Sequence, residues 1–204
     1  MVKKDCYFAL IIGELDALII MFLARNFSEQ LAQIPYAQGV ISYIWLILPA
    51  LAFLGIIVAD FLSRWLKVLW QLAKFLLVGT SNVFVDLGVL GLLQFVTGIA
   101  SGYWYSVFKA ASSLVSIFNS YLWNKFWSFE QKDNSEATKE AVKFFAVALS
   151  GILVNNFIAS YLVNVLGPQG GLSKQGWGII AGVVAAIIVF VWDFVGYKFF
   201  VFKK

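Results

Sequence analysis

The sequence predicts an all-α polytopic membrane bundle of about six helices. The first observation behind this is composition: 61% of the 204 residues are hydrophobic and 13% charged, against roughly 45–50% and about 25% in soluble domains. The second is six apolar stretches near the roughly 20 residues that span a bilayer core. The third is that basic residues gather at alternate ends of those stretches. One cysteine and no histidine exclude an internal disulfide, a Cys/His metal cage and a histidine general base. Neither a metal, a cofactor nor a nucleic-acid partner is expected. The longest hydrophilic segment, 130–142, is a short linker. It leaves no room for a nucleotide-sugar-binding domain, so the chain is not expected to be an enzyme by itself.

The first stretch, 7–24, follows Lys3 and Lys4 as a signal peptide would, but Glu14 and Asp16 interrupt it and no small-residue cleavage site follows. A retained helix fits better. Glu14 and Asp16 stand two residues apart and so face different ways on a helix. The second stretch, 40–62, ends with Asp60 four residues before Arg64, the spacing of an i,i+4 ion pair. The third, 75–96, carries Asp86. The fourth, 103–123, carries Lys109, Ser112, Ser116 and Ser120, which continue to Asn124 at intervals of three or four along one face. The fifth and sixth, 144–166 and 177–195, are more uniformly apolar, and the sixth opens with Gly178-Ile-Ile-Ala-Gly182, a small-residue face.

Twelve of the fifteen basic residues fall on one side if the six helices alternate: Lys3, Lys4, Arg64, Lys67, Lys74, Lys125, Lys132, Lys139, Lys143, Lys198, Lys203 and Lys204. The positive-inside rule makes that side cytoplasmic, so the chain is expected to cross the cytoplasmic membrane with both termini on the cytoplasmic side. Trp65, Trp70, Trp104, Trp123, Trp127 and Trp177 stand near helix ends, where amphipathic rings favour the headgroup region.

An ordered self-match divides the chain into a two-helix extension, 1–73, and a four-helix domain, 74–204, with repeats 74–130 and 143–202. Lys74-Phe-Leu-Leu-Val-Gly-Thr-Ser81 lies over Lys143-Phe-Phe-Ala-Val-Ala-Leu-Ser150, which sets Asp86 over Asn155 and Gly98 over Gly167. Asn124-Lys-Phe-Trp-Ser-Phe129 lies over Tyr197-Lys-Phe-Phe-Val-Phe202, and Ser120 over Asp193. Both halves begin and end on the basic side, which predicts parallel repeats about an axis along the membrane normal.

Asp86 lies twelve residues beyond Lys74 and so about 18 Å into the membrane at 1.5 Å per residue. A carboxylate at that depth costs several kcal/mol unless protonated, paired or facing water, which makes it either a functional site or a structural ion pair. Lys109, about 24 Å from Lys125 on the fourth helix, is the partner within reach. The serine row suits close helix packing better than the lining of a hydrophilic groove, although Lys109 and Asn124 at its ends do not. Lys125 and Lys198 each precede Phe129 or Phe202 by four residues. They can snorkel, or neutralise a lipid phosphate at headgroup depth.

The stretch Lys74-Phe-Leu-Leu-Val-Gly-Thr-Ser-Asn82 with Asp86, then Asn119-Ser-Tyr-Leu-Trp-Asn-Lys-Phe-Trp-Ser-Phe129, resembles the two signature blocks of the GtrA-like membrane protein family. The close, Trp192-Asp-Phe-Val-Gly-Tyr-Lys-Phe-Phe-Val-Phe202, resembles its terminal block. The resemblance covers the four helices from Lys74 onward and leaves the first two as an extension. It implies movement of a polyprenyl-phosphate-linked monosaccharide across the cytoplasmic membrane for cell-surface polysaccharide synthesis or glycosylation. It also implies kinship with modules attached to polyprenyl-phosphate sugar synthases.

By position, the family's polar pattern falls on Asn82, Asp86, Asn119, Asn124, Lys125 and Trp127, and on Asn155, Asp193, Lys198 and Phe200. Asp193 replaces a more usual Asn, Tyr197 stands opposite Asn124, and Lys125 and Lys198 stand where Arg is usual. The expected substrate-binding set is therefore Asp86, Asn155, Asn119, Asn124, Asp193, Lys125, Lys198, Lys109, Asn82 and Trp127. Lys125 and Lys198 would take the phosphate while Asp86, Asn155, Asn119 and Asp193 take sugar hydroxyls. Two other readings stay open: a membrane partner subunit that docks a glycosyltransferase, and a proton-coupled small-cation exporter using Asp86 or Glu14. Small-residue faces on the fourth and sixth helices suit a homodimer.

Overall fold

The computed structural model describes residues 2–26, 37–133, 135–171 and 174–202. Lys203 and Lys204, counted above among the cytoplasmic charges, lie outside the described residues. Six long helices and no strand occur among the described residues: α1 (Val2–Asn26), α2 (Ala37–Ser63), α3 (Val68–Thr97), α4 (Gly102–Trp123), α5 (Ala137–Ser160) and α6 (Lys174–Gly196). Among the described residues, five helices are long and apolar enough to cross a bilayer: Lys3–Asn26, Gly39–Ser63, Val68–Thr97, Ala137–Leu166 and Ile180–Val201. The 22-residue α4 stands outside that group, since Lys109, Ser112, Ser113, Ser116, Asn119 and Ser120 lower its hydropathy. The result is a polytopic helical membrane bundle, apolar on the outside as a lipid solvent requires. Leu51, Leu54, Phe95, Leu153 and Phe157 are among the exposed large side chains.

The chain forms two compact units, Met1–Glu130 and Gln131–Lys204. In the first, α1 packs on α2 and α3, α2 on α3, and α3 on α4. The two N-terminal helices therefore share a unit with the first helix pair. Small side chains line these contacts, as membrane helices need for close approach: Ala9, Ala17, Ala52 and Ala59 are buried. Closest of all is Gly13, where a Cβ would sit 2.6 Å from Pro49 Cα and 2.9 Å from the Leu48 carbonyl oxygen. Backbone atoms cannot move aside. Gly13→Val is expected to destabilise the detergent-solubilised protein by about 1–3 kcal/mol, the usual overpacking penalty, seen as a lower unfolding temperature. Gly55→Ala, where nothing among the described residues lies within 4 Å, is the control and should leave that temperature unchanged or higher.

In the second unit α5 packs on α6. Gly196 on α6 meets Val147, and Gly151 on α5 meets Val189 and Asp193. Phe144 is fully buried and stacks on Tyr197, with ring centroids 4.1 Å apart.

Local geometry recurs at positions the self-match pairs. Asn124–Ser128 and Tyr197–Val201 are both π-helical turns, closed by Phe129 N–H to the Asn124 carbonyl at 2.9 Å and Phe202 N–H to the Tyr197 carbonyl at 2.8 Å. Each turn brings its Phe near an aromatic on the first helix of its half: Phe129 and Phe75 of α3 have centroids 6.3 Å apart, and Phe202 and Phe144 of α5 6.0 Å. Gly98 and Gly167 both take positive φ, 71° and 70°, where the first helical segment of each half ends.

Candidate functional site

Polar side chains cross the first unit in three rungs along α3, joining it to α4 and α1. The deepest is the expected ion pair. Lys109 Nζ donates to Asp86 Oδ2, Ser112 Oγ donates to Oδ1 at 2.6 Å and Ser113 Oγ to the same oxygen at 3.3 Å. Running antiparallel, α3 and α4 bring residues 86 and 109–113 to one level because α4 starts at the end of the bundle where α3 stops. The side chains are 19% exposed for Asp86 and 41% for Lys109, so the pair is reachable from outside the unit. Ser112 is fully buried, and its neighbour Ser116 donates back to the Ser113 carbonyl at 3.1 Å.

About one helical turn nearer the start of α3, Asn119 Nδ2 donates to Asn82 Oδ1 at 2.8 Å. On the adjacent position, Ser81 Oγ donates to Asp16 Oδ1 at 2.7 Å. That bond explains half of the acidic pair on α1: Asp16 is buried against α3 while Glu14 is exposed on the opposite face.

The third rung was not visible as a site in the sequence. Lys74 is 0% exposed. Its ammonium lies 2.7 Å from Asp5 Oδ1 of α1 and 2.9 Å from Glu130 Oε1, and donates more weakly to the Trp127 carbonyl at 3.4 Å. The Trp70 and Trp127 rings flank it, 5.0 and 5.8 Å from centroid to nitrogen. Trp127, read as an interfacial substrate residue, is buried and donates its Nε1–H to Asp5 Oδ1 at 2.9 Å. Glu130 takes φ 53°, the one positive φ at a non-glycine among the described residues, which is where a side chain resists the backbone. The sequence signal was present, since Lys74 opens the repeat, but a lysine at a helix start reads as an ordinary cytoplasmic charge.

Asn124 is buried, donates to Ser120 Oγ at 3.2 Å, and leaves its Oδ1 without a hydrogen-bond partner among the described residues. Lys125 is only 1% exposed; its ammonium lies 3.4 Å from the Tyr121 hydroxyl and over the Tyr121 and Phe126 rings. In the second unit, Asn155 is half-buried, and Lys198 lies over the Phe194 and Phe199 rings at 5.5 and 5.6 Å. Phe200 is exposed and receives the Lys143 ammonium at 5.4 Å. Asn155, Asp193 and Lys198 make no hydrogen bond or ion pair with one another among the described residues. Within the first unit the structure thus joins Asp86 to Lys109 and Asn82 to Asn119, and ties Trp127 to α1.

Apolar helices that hold carboxylate, ammonium and amide groups at membrane depth, with Asp86 met by Lys109 and Asn82 by Asn119, define a multi-pass membrane protein with a built polar seam. The chain belongs to the family described as GtrA/DPMS, transmembrane domain, which matches residues 74–202. A dolichol-phosphate mannosyltransferase of Pyrococcus furiosus is 29% identical over 106 residues, 52% of this chain and 28% of that protein. An uncharacterized membrane protein of Bacillus subtilis, YngA, is 32% identical over 133 residues, 64% of this chain and 78% of that protein. The match with the mannosyltransferase thus takes in little more than a quarter of that relative.

Proposed function

We propose that the protein moves a polyprenyl-phosphate-linked monosaccharide across the cytoplasmic membrane, with both termini cytoplasmic, and catalyses no bond change itself. Membership of the GtrA/DPMS family is the observation that carries this reading. The orientation is supported by the twelve of fifteen basic residues that fall on one side when the six helices alternate. The half-open Asp86–Lys109 pair supports a polar path, with Asn82 and Asn119 nearer the start of α3 as further partners for sugar hydroxyls. Such groups replace the water that a sugar loses on entering hydrocarbon, while the prenyl chain stays in lipid.

The test is a leaflet assay: purified protein in liposomes carrying a labelled polyprenyl-phosphate monosaccharide, with an impermeant reagent reporting exposure. Transbilayer movement that is lost in Asp86→Ala supports translocation. No movement above empty vesicles with a verified substrate rejects it. The partial match with a mannosyltransferase favours a second reading, in which the protein is a membrane partner of a polyprenyl-phosphate glycosyltransferase. Co-purification of such an enzyme, together with a negative leaflet assay, selects that reading.

A further inference from the structure

One carboxylate in the second unit has no donor to its buried oxygen among the described residues. Asp193 lies near the end of α6, where its Oδ1 is buried without a hydrogen-bond partner. It packs instead on the bare backbone of α5: a Cβ at Gly151 would meet Asp193 Oδ1 at 2.7 Å and Val189 Cγ1 at 3.3 Å. The hydroxyl nearest in sequence to that contact, Ser150, is turned elsewhere. It donates to the Val147 carbonyl at 2.7 Å and accepts Trp192 Nε1–H at 2.9 Å.

Of the charged and titratable groups on these two helices and the turn after them, Tyr197 lies near enough to Asp193 to interact with it electrostatically, and the others are held elsewhere. On α5, Lys143 lies over Phe200, Glu140 accepts from Gln131 Nε2 at 3.2 Å, and Asn155 is uncharged. On the π turn after α6, Tyr197 is stacked on Phe144, and Lys198 holds its ammonium over Phe194 and Phe199. No group of three His, Cys, Asp or Glu side chains is gathered to hold a metal ion, among the described residues. The other two membrane carboxylates with described partners differ sharply. Asp86 receives Lys109, Ser112 and Ser113, and Asp16 receives Ser81.

An ionised carboxylate without donors in an apolar helix pair costs several kcal/mol, whereas the neutral acid leaves only one hydroxyl to satisfy. From this contact we infer that Asp193 is a reversible proton-binding site of the α5–α6 pair, taking up a proton as the carboxylic acid and releasing it as the carboxylate. The step balances with water or buffer as the proton source. It stands apart from the translocation reading and needs no lipid-linked sugar to be observed.

The experiment uses the full chain in liposomes. A hydrophobic carbodiimide, which reacts with protonated carboxyls in lipid, is applied across a pH series and the modified residue is found by peptide mass spectrometry. Labelling of Asp193 is expected to follow a one-proton titration, falling about tenfold per pH unit on its alkaline limb, while Asp86 stays unlabelled. Infrared spectra provide the second measurement: the protonated-carboxyl stretch of the wild type should lose intensity in Asp193→Asn and keep it in Asp86→Asn, with Asp16→Asn separating the contribution of the buried carboxyl that, among the described residues, accepts only from Ser81. Absence of Asp193 label at every pH, label independent of pH, or wild-type and Asp193→Asn spectra with the same carboxyl band would each overturn the assignment.

Discussion

The double variant Asp86→Asn, Lys109→Met is expected to remain folded in the membrane and to lose translocation by at least about a hundredfold. Each charged hydrogen bond to a sugar hydroxyl contributes about 1.5–3 kcal/mol, and two are removed together. The single variant Asp86→Ala is the weaker probe of mechanism. It leaves the Lys109 ammonium without its carboxylate beside apolar helices, so a loss of activity is not separated from a loss of stability. Removing both charges avoids that ambiguity, and Ser112 and Ser113 can still donate to the amide oxygen that takes the place of the carboxylate. Unfolding temperature and size-exclusion profile in detergent report the fold, and the leaflet assay reports movement. A double variant that translocates at the wild-type rate would make the pair a packing device and remove it from the path.

Asp86 and Lys109 were readable from sequence because two opposite charges isolated in apolar stretches have few other partners, and helical rise fixes their depth. Asp60 and Arg64 were readable for a local reason, the i,i+4 spacing, and form an exposed pair at 3.9 Å that contributes little. Lys74 was not readable as buried. Its environment depends on where α1 lies, and neither periodicity nor charge counting supplies that. Asp5 follows Lys3 and Lys4 and looks like one more headgroup charge, while Glu130 looks like the start of a linker. Lys125 misleads in the same way: a basic residue after an aromatic helix end suggests the headgroup region, yet the π turn that begins at Asn124 rotates it against Tyr121 and Phe126. That turn carries no spacing signal of its own, since it ends the helix and leaves no periodic stretch beyond it in which a shifted phase could be read. Asp193 was legible as an unusual residue at its position, but its isolation from donors depends on Gly151 opposite, a tertiary fact.

Lys74→Met is expected to release the N-terminal end of α1 from the first unit and to destabilise the protein by about 3–5 kcal/mol. The loss falls unequally on the two carboxylates. Glu130 has a side chain 46% exposed and can turn to solvent, relaxing its positive φ as it does so. Asp5 is 5% exposed and would keep only the Trp127 indole as a donor, too little to hold an ionised carboxylate in place. The packing of α1 then loses its ionic end, while the Asp16–Ser81 bond and the Gly13 contact persist further along the helix. Cys6, the single cysteine, sits beside Asp5, half-buried against the core of this unit, and so reports the release directly. Its rate of maleimide labelling in Lys74→Met should rise, and the unfolding temperature in detergent should fall. Adding Asp5→Asn removes the stranded charge and should recover most of both readouts, which a simple loss of side-chain packing at Lys74 would not allow. Equal labelling of Cys6 in wild type and Lys74→Met would show instead that the apolar contacts and the Asp16–Ser81 bond hold α1 to α3 without the ion pair.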